Sequence, residues 1–152
     1  MPDFNSLQEA NRVLNRASVA NETNALVKSE LFEFVAPAGV VAGDRVLLGR
    51  VPHGARILPQ SQVHHTALGT SVTIGIGYEA FTDIAGVAVT AAPAGVLAVA
   101  AAAAAGSRFF DLAGTSKINF SGRPVPLWLT FAGGDVATDG TVRVYLQYTN
   151  LN

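Results

Sequence analysis

Cysteine is absent from this 152-residue chain, which removes thiolate nucleophiles, cysteine-held zinc and iron–sulfur clusters, and any disulfide framework. Charge is scarce as well. Asp, Glu, Lys and Arg make up 14% of the sequence, against about a quarter in ordinary globular chains. Ten basic and eleven acidic residues leave a net charge of −1, and the basic ones are scattered from Arg12 to Arg143. A dedicated nucleic-acid binder would carry a basic stripe, so no nucleic-acid partner is expected. No hydrophobic run is long enough for a membrane span, which takes about 20 apolar residues. The longest, over 96–106, is shorter and alanine-rich, and no membrane partner is expected. The opening Met1-Pro2-Asp3-Phe4-Asn5 shows neither the positive start nor the apolar centre of a secretory signal. Synthesis in the cytoplasm and use without conventional secretion follow as the expectation.

Apolar residues are not scarce. At 49% of the chain they are ample for one core, so neither a structural metal nor a cofactor is needed to hold a single domain together. With so little charge, the surface must be covered by Ser, Thr, Asn, Gln, Gly and Ala. Such a surface costs little to desolvate and suits lasting contact with other subunits; the plain alternative is a sparsely charged monomer.

The clearest signal is a two-residue period. Val142, Val144, Leu146 and Tyr148 alternate with Thr141, Arg143, Tyr145 and Gln147, the mark of a strand with one buried and one wetter face. Val125, Leu127, Leu129 and Phe131 alternate with Pro126, Trp128 and Thr130 in the same way. Pro126 has no amide hydrogen, which points to an edge strand or a strand's first residues. Val72, Ile74, Ile76 and Tyr78 alternate with Ser71, Thr73, Gly75 and Gly77, so the second face of that strand is nearly bare and admits another backbone or an aromatic ring. Further strands are predicted over 31–35, closed by Pro37 and Gly39, over 44–48, and over 56–65. A hairpin of 108–112 and 117–120 is predicted around Ala113-Gly114-Thr115-Ser116. Short strands at this spacing predict an all-β fold: an antiparallel β-sandwich, jelly-roll-like. The stretch 87–106 is the exception. Alanine is the best helix former, and the expectation there is a long connection carrying a short helix within 96–105.

Residues 1–29 read as an N-terminal arm, and 30–152 as the β-sandwich domain. Ser6-Leu7-Gln8-Glu9 fits a capping box, and Leu7, Ala10, Leu14 and Ala17 fall at helical spacing with Val13 beside them. A short amphipathic helix over 7–17 is predicted. The arm either frays, as termini do, or orders against a neighbouring subunit. Ordering some 25 residues costs about 1–2 kcal/mol each in backbone entropy, which only a large, repetitive surface would offset.

Candidate chemistry is sparse. His64 and His65 are adjacent, so on a strand they face opposite sides and cannot together grip one ion; His53 sits in a Pro-His-Gly turn. No zinc site is expected. Glu79 and Asp83 flank Phe81 and have the types of a glycosidase pair, but two carboxylates near a strand end are common. Asp135 and Asp139 have oxygen ligands for calcium, yet aspartate and glycine also suit tight turns. Gly75-Ile76-Gly77 lies within a strand and is no dinucleotide fingerprint. No catalytic residue is assigned. Trp128 and Tyr145, both opposite their strands' apolar rows, are suited to a protein partner or a sugar, or are ordinary core if the sheets are buried on both faces; core or subunit interface outweighs sugar binding.

Pro52-His53-Gly54-Ala55-Arg56-Ile57, Gly69-Thr70-Ser71-Val72-Thr73-Ile74-Gly75-Ile76-Gly77 and the closing Gly140-Thr141-Val142-Arg143-Val144-Tyr145-Leu146-Gln147-Tyr148, behind a polar arm and a Phe-rich first strand, resemble small β-sandwich structural proteins of tailed bacteriophages. The resemblance spans roughly 31–150 and is greatest to capsid decoration, or cement, proteins. It implies a structural virion protein, a homotrimer on the outer surface of the capsid, bridging neighbouring subunits of the major capsid protein lattice without catalysis or cofactor. Phe4, Leu7 and Leu14 of the arm, with Trp128 and Tyr145, are the partner contacts this implies. A tail or head–tail joining protein would share the fold and the arm, and a carbohydrate-binding module would use Trp128 and Tyr145.

Overall fold

The computed structural model describes residues 3–5, 27–52, 54–83, 85–111 and 124–150. Twelve strands run along them: β1 (Asp3–Asn5), β2 (Lys28–Ala36), β3 (Arg45–Val51), β4 (Ala55–Ile57), β5 (Gln62–His65), β6 (Thr73–Tyr78), β7 (Phe81–Thr82), β8 (Ala88–Val89), β9 (Ala92–Ala101), β10 (Gly106–Phe109), β11 (Val125–Ala132) and β12 (Gly140–Asn150). One sheet has the order β1-β3-β11-β6-β9. The second has the order β10-β5-β12-β2, with β4 also paired to β12, and β7 and β8 form a small separate hairpin. All pairings are antiparallel except β1 with β3, where Phe4 lies opposite Val46. The chain passes repeatedly from one sheet to the other, so the architecture is the expected all-β sandwich with jelly-roll-like connections.

Alternation translates directly into the core. Val125, Leu127, Leu129 and Phe131 of β11 are buried against Val142, Val144, Leu146 and Tyr148 of β12, and Phe32 and Phe34 of β2 join them. Phe131 is fully buried and its ring lies 6.1 Å from that of Phe34, tilted by 56°. Each fully buried side chain of this size contributes about 1.5–3 kcal/mol over its exposed state. Pro126 is the second residue of β11, a central strand, and a register shift against β3 follows at Leu127/Trp128. The missing amide is thus accommodated at a strand start, the second of the two places expected.

Two expectations are corrected. The stretch 96–105 is not helical: β9 pairs with β6 from Thr73↔Ala101 to Tyr78↔Ala92. Alanine's helix preference amounts to tenths of a kcal/mol per residue. Pro93 and Gly95 confine it to about ten residues, too few for a helix to stand alone. Burying Val96 and Leu97 completely outweighs it. The bare face of β6 is what receives this strand. A side chain at Gly77 would run into the backbone of Ala92 and Pro93, so the approach of a second backbone expected at Gly75 and Gly77 is present. The second correction concerns 56–65, which is two strands, β4 and β5, parted by a turn in which the Ser61 amide donates to the Leu58 carbonyl at 3.0 Å. Ser61, fully buried, stitches that turn to β12: its Oγ donates to the Gln147 carbonyl at 3.0 Å and accepts from the Gln147 amide at 2.8 Å. The predicted helix over 7–17, His53 and the hairpin's second strand over 117–120 lie outside the described residues.

Candidate interaction surfaces

The polar groups singled out in the sequence are spent on holding loops. Asp83 Oδ1 accepts from the amides of Ala85 and Val87 at 2.9 and 2.8 Å, closing the β7–β8 turn, while Glu79 meets Arg45 at 2.6 Å. The two carboxylates therefore serve different partners. Asp135 Oδ1 accepts from the Ala42 amide at 3.1 Å and Asp139 Oδ1 from the Ala38 amide at 2.8 Å, tying the β2–β3 loop to the β11–β12 loop. His64 faces outward with its ring 5.2 Å from that of Tyr145, edge-on. His65 is turned inward and nearly buried, with Nδ1 3.0 Å from the Thr66 carbonyl. Among the described residues no group of three or more His, Cys, Asp or Glu could hold a metal ion, and no helix is long and apolar enough to cross a membrane.

What remains is the outward face of each sheet. On the first, Arg45 of β3 lies over the Trp128 ring of β11, 4.2 Å from its centroid, and is held there by Glu79. These three border a shallow cavity of about 370 Å³ with Gly43, Ala91, Pro93 and Thr130. The stack brings a cation to the negative face of the indole and covers that face. Leu47, opposite Trp128 in register, is 7% exposed and stands outside the main core cluster. This face is therefore largely occupied by the chain's own side chains. The Trp128 indole nitrogen is buried and donates to no described group.

The second sheet's outward face is different. Register places Phe109 of β10 opposite Gln62 of β5, Gln62 opposite Tyr145 of β12, and Tyr145 opposite Leu31 of β2. Directly opposed residues share a face, so these four make one row across the sheet. Phe109 is 65% exposed, Leu31 40% and Tyr145 38%. The next row brings His64 beside Arg143 and Glu33, and Arg143 Nε donates to Glu33 Oε2 at 2.6 Å. That hydrogen bond and the carboxylate's charge hold the Arg143 guanidinium above its ordinary value.

Trp128 and Tyr145 thus lie on the outward faces of different sheets and form no common aromatic platform. Phe4 joins the first sheet through its backbone, in β1; Leu7 and Leu14 are outside the described residues. Sequence reasoning passed over Leu31, Val35 and Phe109. Parity alone marks the first two, since they alternate with the buried Phe32 and Phe34. Phe109 carries no such signal, because Phe110 beside it is the buried one.

No family model matches the sequence, and no curated protein matches it in sequence. Solved structures do match in fold. A chain in the capsid of Ralstonia phage GP4 superposes with a TM-score of 0.74 at 16% identity, over 99% of this chain and 99% of that one. A chain of the cyanophage Pam1 capsid asymmetric unit superposes with a TM-score of 0.56 at 15% identity, over 90% and 96%. At such identities the likeness is one of fold.

Proposed function

We propose that this chain is a structural virion protein that binds the outer surface of a phage capsid and stabilises it by bridging neighbouring major capsid subunits. The observation that carries the proposal is the end-to-end correspondence with a chain of a phage capsid, 99% of each being covered. The site chemistry supports it: of the two carboxylates that a catalytic reading would need, Asp83 closes a turn and Glu79 is paired with Arg45, and the outward faces are pleated, charge-poor surfaces. Carbohydrate binding on a Trp–Tyr platform is disfavoured by the placement of those rings on opposite sides of the sandwich.

The mechanism is adhesive. Each chain makes modest contacts to adjacent capsid subunits, and engagement of one raises the effective concentration of the next, so several weak contacts act as one strong one. The arm within residues 1–29, apart from β1, which pairs with β3, and the start of β2 at Lys28, serves as the clamp over a neighbouring subunit, and the sandwich supplies contacts within a homotrimer. Tight binding then requires a preassembled lattice, where all contacts exist together. The test is to mix purified chain with empty heads and image them by cryo-electron microscopy. Saturable, symmetric occupancy at lattice positions is expected; absence of binding to a matching lattice overturns the proposal.

A further inference from the structure

The cavity beside Trp128 has no part in the adhesion proposed above. It measures about 370 Å³, and Arg45, Tyr78, Glu79, Ala91, Pro93 and Thr130 stand around it. Its walls are fixed by packing. The Tyr78 ring meets Phe81 edge-on, centroids 5.7 Å apart. The wall that contains Pro93 is pressed onto β6 at Gly77, where no side chain would fit. A volume near the lower end of the roughly 300–1,000 Å³ of small-molecule sites suits one small ring. We infer that this cavity is a subsite for a neutral sugar, a single pyranose ring with two neighbouring hydroxyls set across the Arg45–Glu79 pair.

Charge selects the ligand class. Arg45 and Glu79 meet at 2.6 Å and cancel. An anion would have to draw Arg45 away from Glu79, and a cation Glu79 from Arg45, each at the loss of a charge-assisted hydrogen bond. A neutral ligand breaks nothing. Along the pair a donor and an acceptor stand side by side, at a spacing close to that of neighbouring hydroxyls on a sugar ring. A hydroxyl both donates and accepts, a guanidinium carries five N–H donors, and a carboxylate has about four acceptor positions. One sugar hydroxyl therefore donates to Glu79 while the next accepts from Arg45, with the pair left joined. Both side chains are within reach of solvent, 34% exposed for Arg45 and 48% for Glu79.

The remaining walls suit the rest of the ring. Thr130 supplies a further hydroxyl, while Ala91, Pro93 and the Tyr78 ring offer an apolar surface to the sugar's C–H groups. The Trp128 ring is covered by Arg45, so the sugar does not stack on the indole, and Tyr145 on the other sheet has no role. A methyl hexoside has about a dozen heavy atoms, which at ordinary ligand efficiency gives a dissociation constant of about 1 mM. A particle displaying many copies would multiply so weak a contact.

Trp128 is the chain's only tryptophan, so its emission reports on this cavity. The full chain is titrated into the tens of millimolar with the methyl glycosides of glucose, galactose, mannose and N-acetylglucosamine. Binding is read by tryptophan fluorescence and by saturation-transfer NMR on the sugar protons, with circular dichroism as the check of folding. At least one glycoside is expected to saturate with a change in emission. Cyclohexanol, a ring of the same size with one hydroxyl, is expected to bind at least tenfold more weakly. Ala91→Phe, which fills the cavity from an exposed position, is expected to abolish binding, and Glu79→Ala to weaken it at least fivefold. Should one of these fail to fold, the other decides. Tyr145→Ser is expected to bind as the wild type does. No glycoside bound by either readout overturns the inference, as do cyclohexanol binding equally well, wild-type affinity in Ala91→Phe or Glu79→Ala, and loss of binding in Tyr145→Ser. Glycoside binding by a chain that ignores empty heads keeps the sugar subsite and sinks the virion role; attachment to heads without glycoside binding does the reverse.

Discussion

Gly77 and Gly75 sit two residues apart on β6 and face the same way, yet their surroundings predict opposite outcomes for the same substitution. A Cβ at Gly75 would find Val99 Cγ2 at 3.3 Å, Ala94 Cβ at 3.4 Å and the Leu97 carbonyl oxygen at 3.5 Å. That is close packing, with the nearest atoms at side-chain ends. At Gly77 it would enter the space of the Ala92 carbonyl oxygen and the Pro93 carbonyl group, and backbone has no rotamer by which to withdraw. Neither glycine has a positive φ, so alanine is conformationally allowed at both. Replacing glycine where the backbone tolerates it restricts the unfolded chain and stabilises by about 0.4–1 kcal/mol. Gly75→Ala should therefore be neutral to slightly stabilising. Gly77→Ala gains the same amount but forces β9 off β6, and overpacking of this kind costs about 1–3 kcal/mol, occasionally more. The gap between the two variants should be about 2 kcal/mol, or about 4–8 °C in Tm for a chain of this size. Urea denaturation and thermal melts measure it, and amide hydrogen exchange locates it: in Gly77→Ala the amides of 96–101 should exchange faster while those of β12 keep their order of protection. Equal stability of the two variants, or loss in Gly75→Ala alone, would refute the close approach of β9 to β6.

Three further outcomes follow from the same structure. Phe131→Ala removes a fully buried ring packed on Phe34 and should cost about 3–5 kcal/mol, read as a denaturation midpoint shift with little change in the slope. Burial, and next the hydrogen bond its hydroxyl donates to Glu30 at 2.7 Å, push the Tyr148 hydroxyl well above the usual tyrosine value, and burial raises Tyr78 too. A folded pKa raised above the unfolded one means stability complete below about pH 10 and falling as pH climbs beyond it, because the unfolded chain loses the proton first. Tyr148→Phe should lose about 1–2 kcal/mol near neutrality and show a shallower alkaline decline, measured by urea midpoints from pH 7 to 11. Deleting residues 1–24 removes the three-residue edge strand β1 and should weaken head binding while the remaining strands keep their far-ultraviolet signal; unchanged occupancy of heads would dispose of the clamp.

Where a strand buries one face and wets the other, its residues announced it. Val142 to Tyr148 and Val125 to Phe131 alternate because the sandwich demands it, and every apolar member of those rows is buried. The same logic exposed the glycine face of β6 as a place for another backbone. It failed at β9 for a physical reason: alanine is small enough for a tight strand and intrinsically favours helix, so its identity cannot separate the two, and the deciding partner, β6, is some twenty residues away in the chain. The break of 56–65 into β4 and β5 was equally hidden, since it turns on Ser61 reaching Gln147 across 86 residues. Long-range stitching of that kind leaves no local pattern. Three residues of β1 are too few to carry any period at all.

The two outward faces show why composition alone could raise a structural role without saying where contacts lie. Both are poor in charge, but one has turned its charge inward on itself: Arg45 is spent on Trp128 and Glu79, so the most conspicuous aromatic of the sequence is already covered. The other pairs Arg143 with Glu33, carries Arg56 toward its β4 end, and leaves Phe109, Tyr145 and Leu31 exposed. An aromatic residue's type therefore misleads about its availability. What decides is the cross-strand neighbour, which register alone supplies, and by that measure the bare face is the second sheet's. Sparse charge makes both faces cheap to dry, which is the property that the proposed adhesion draws on.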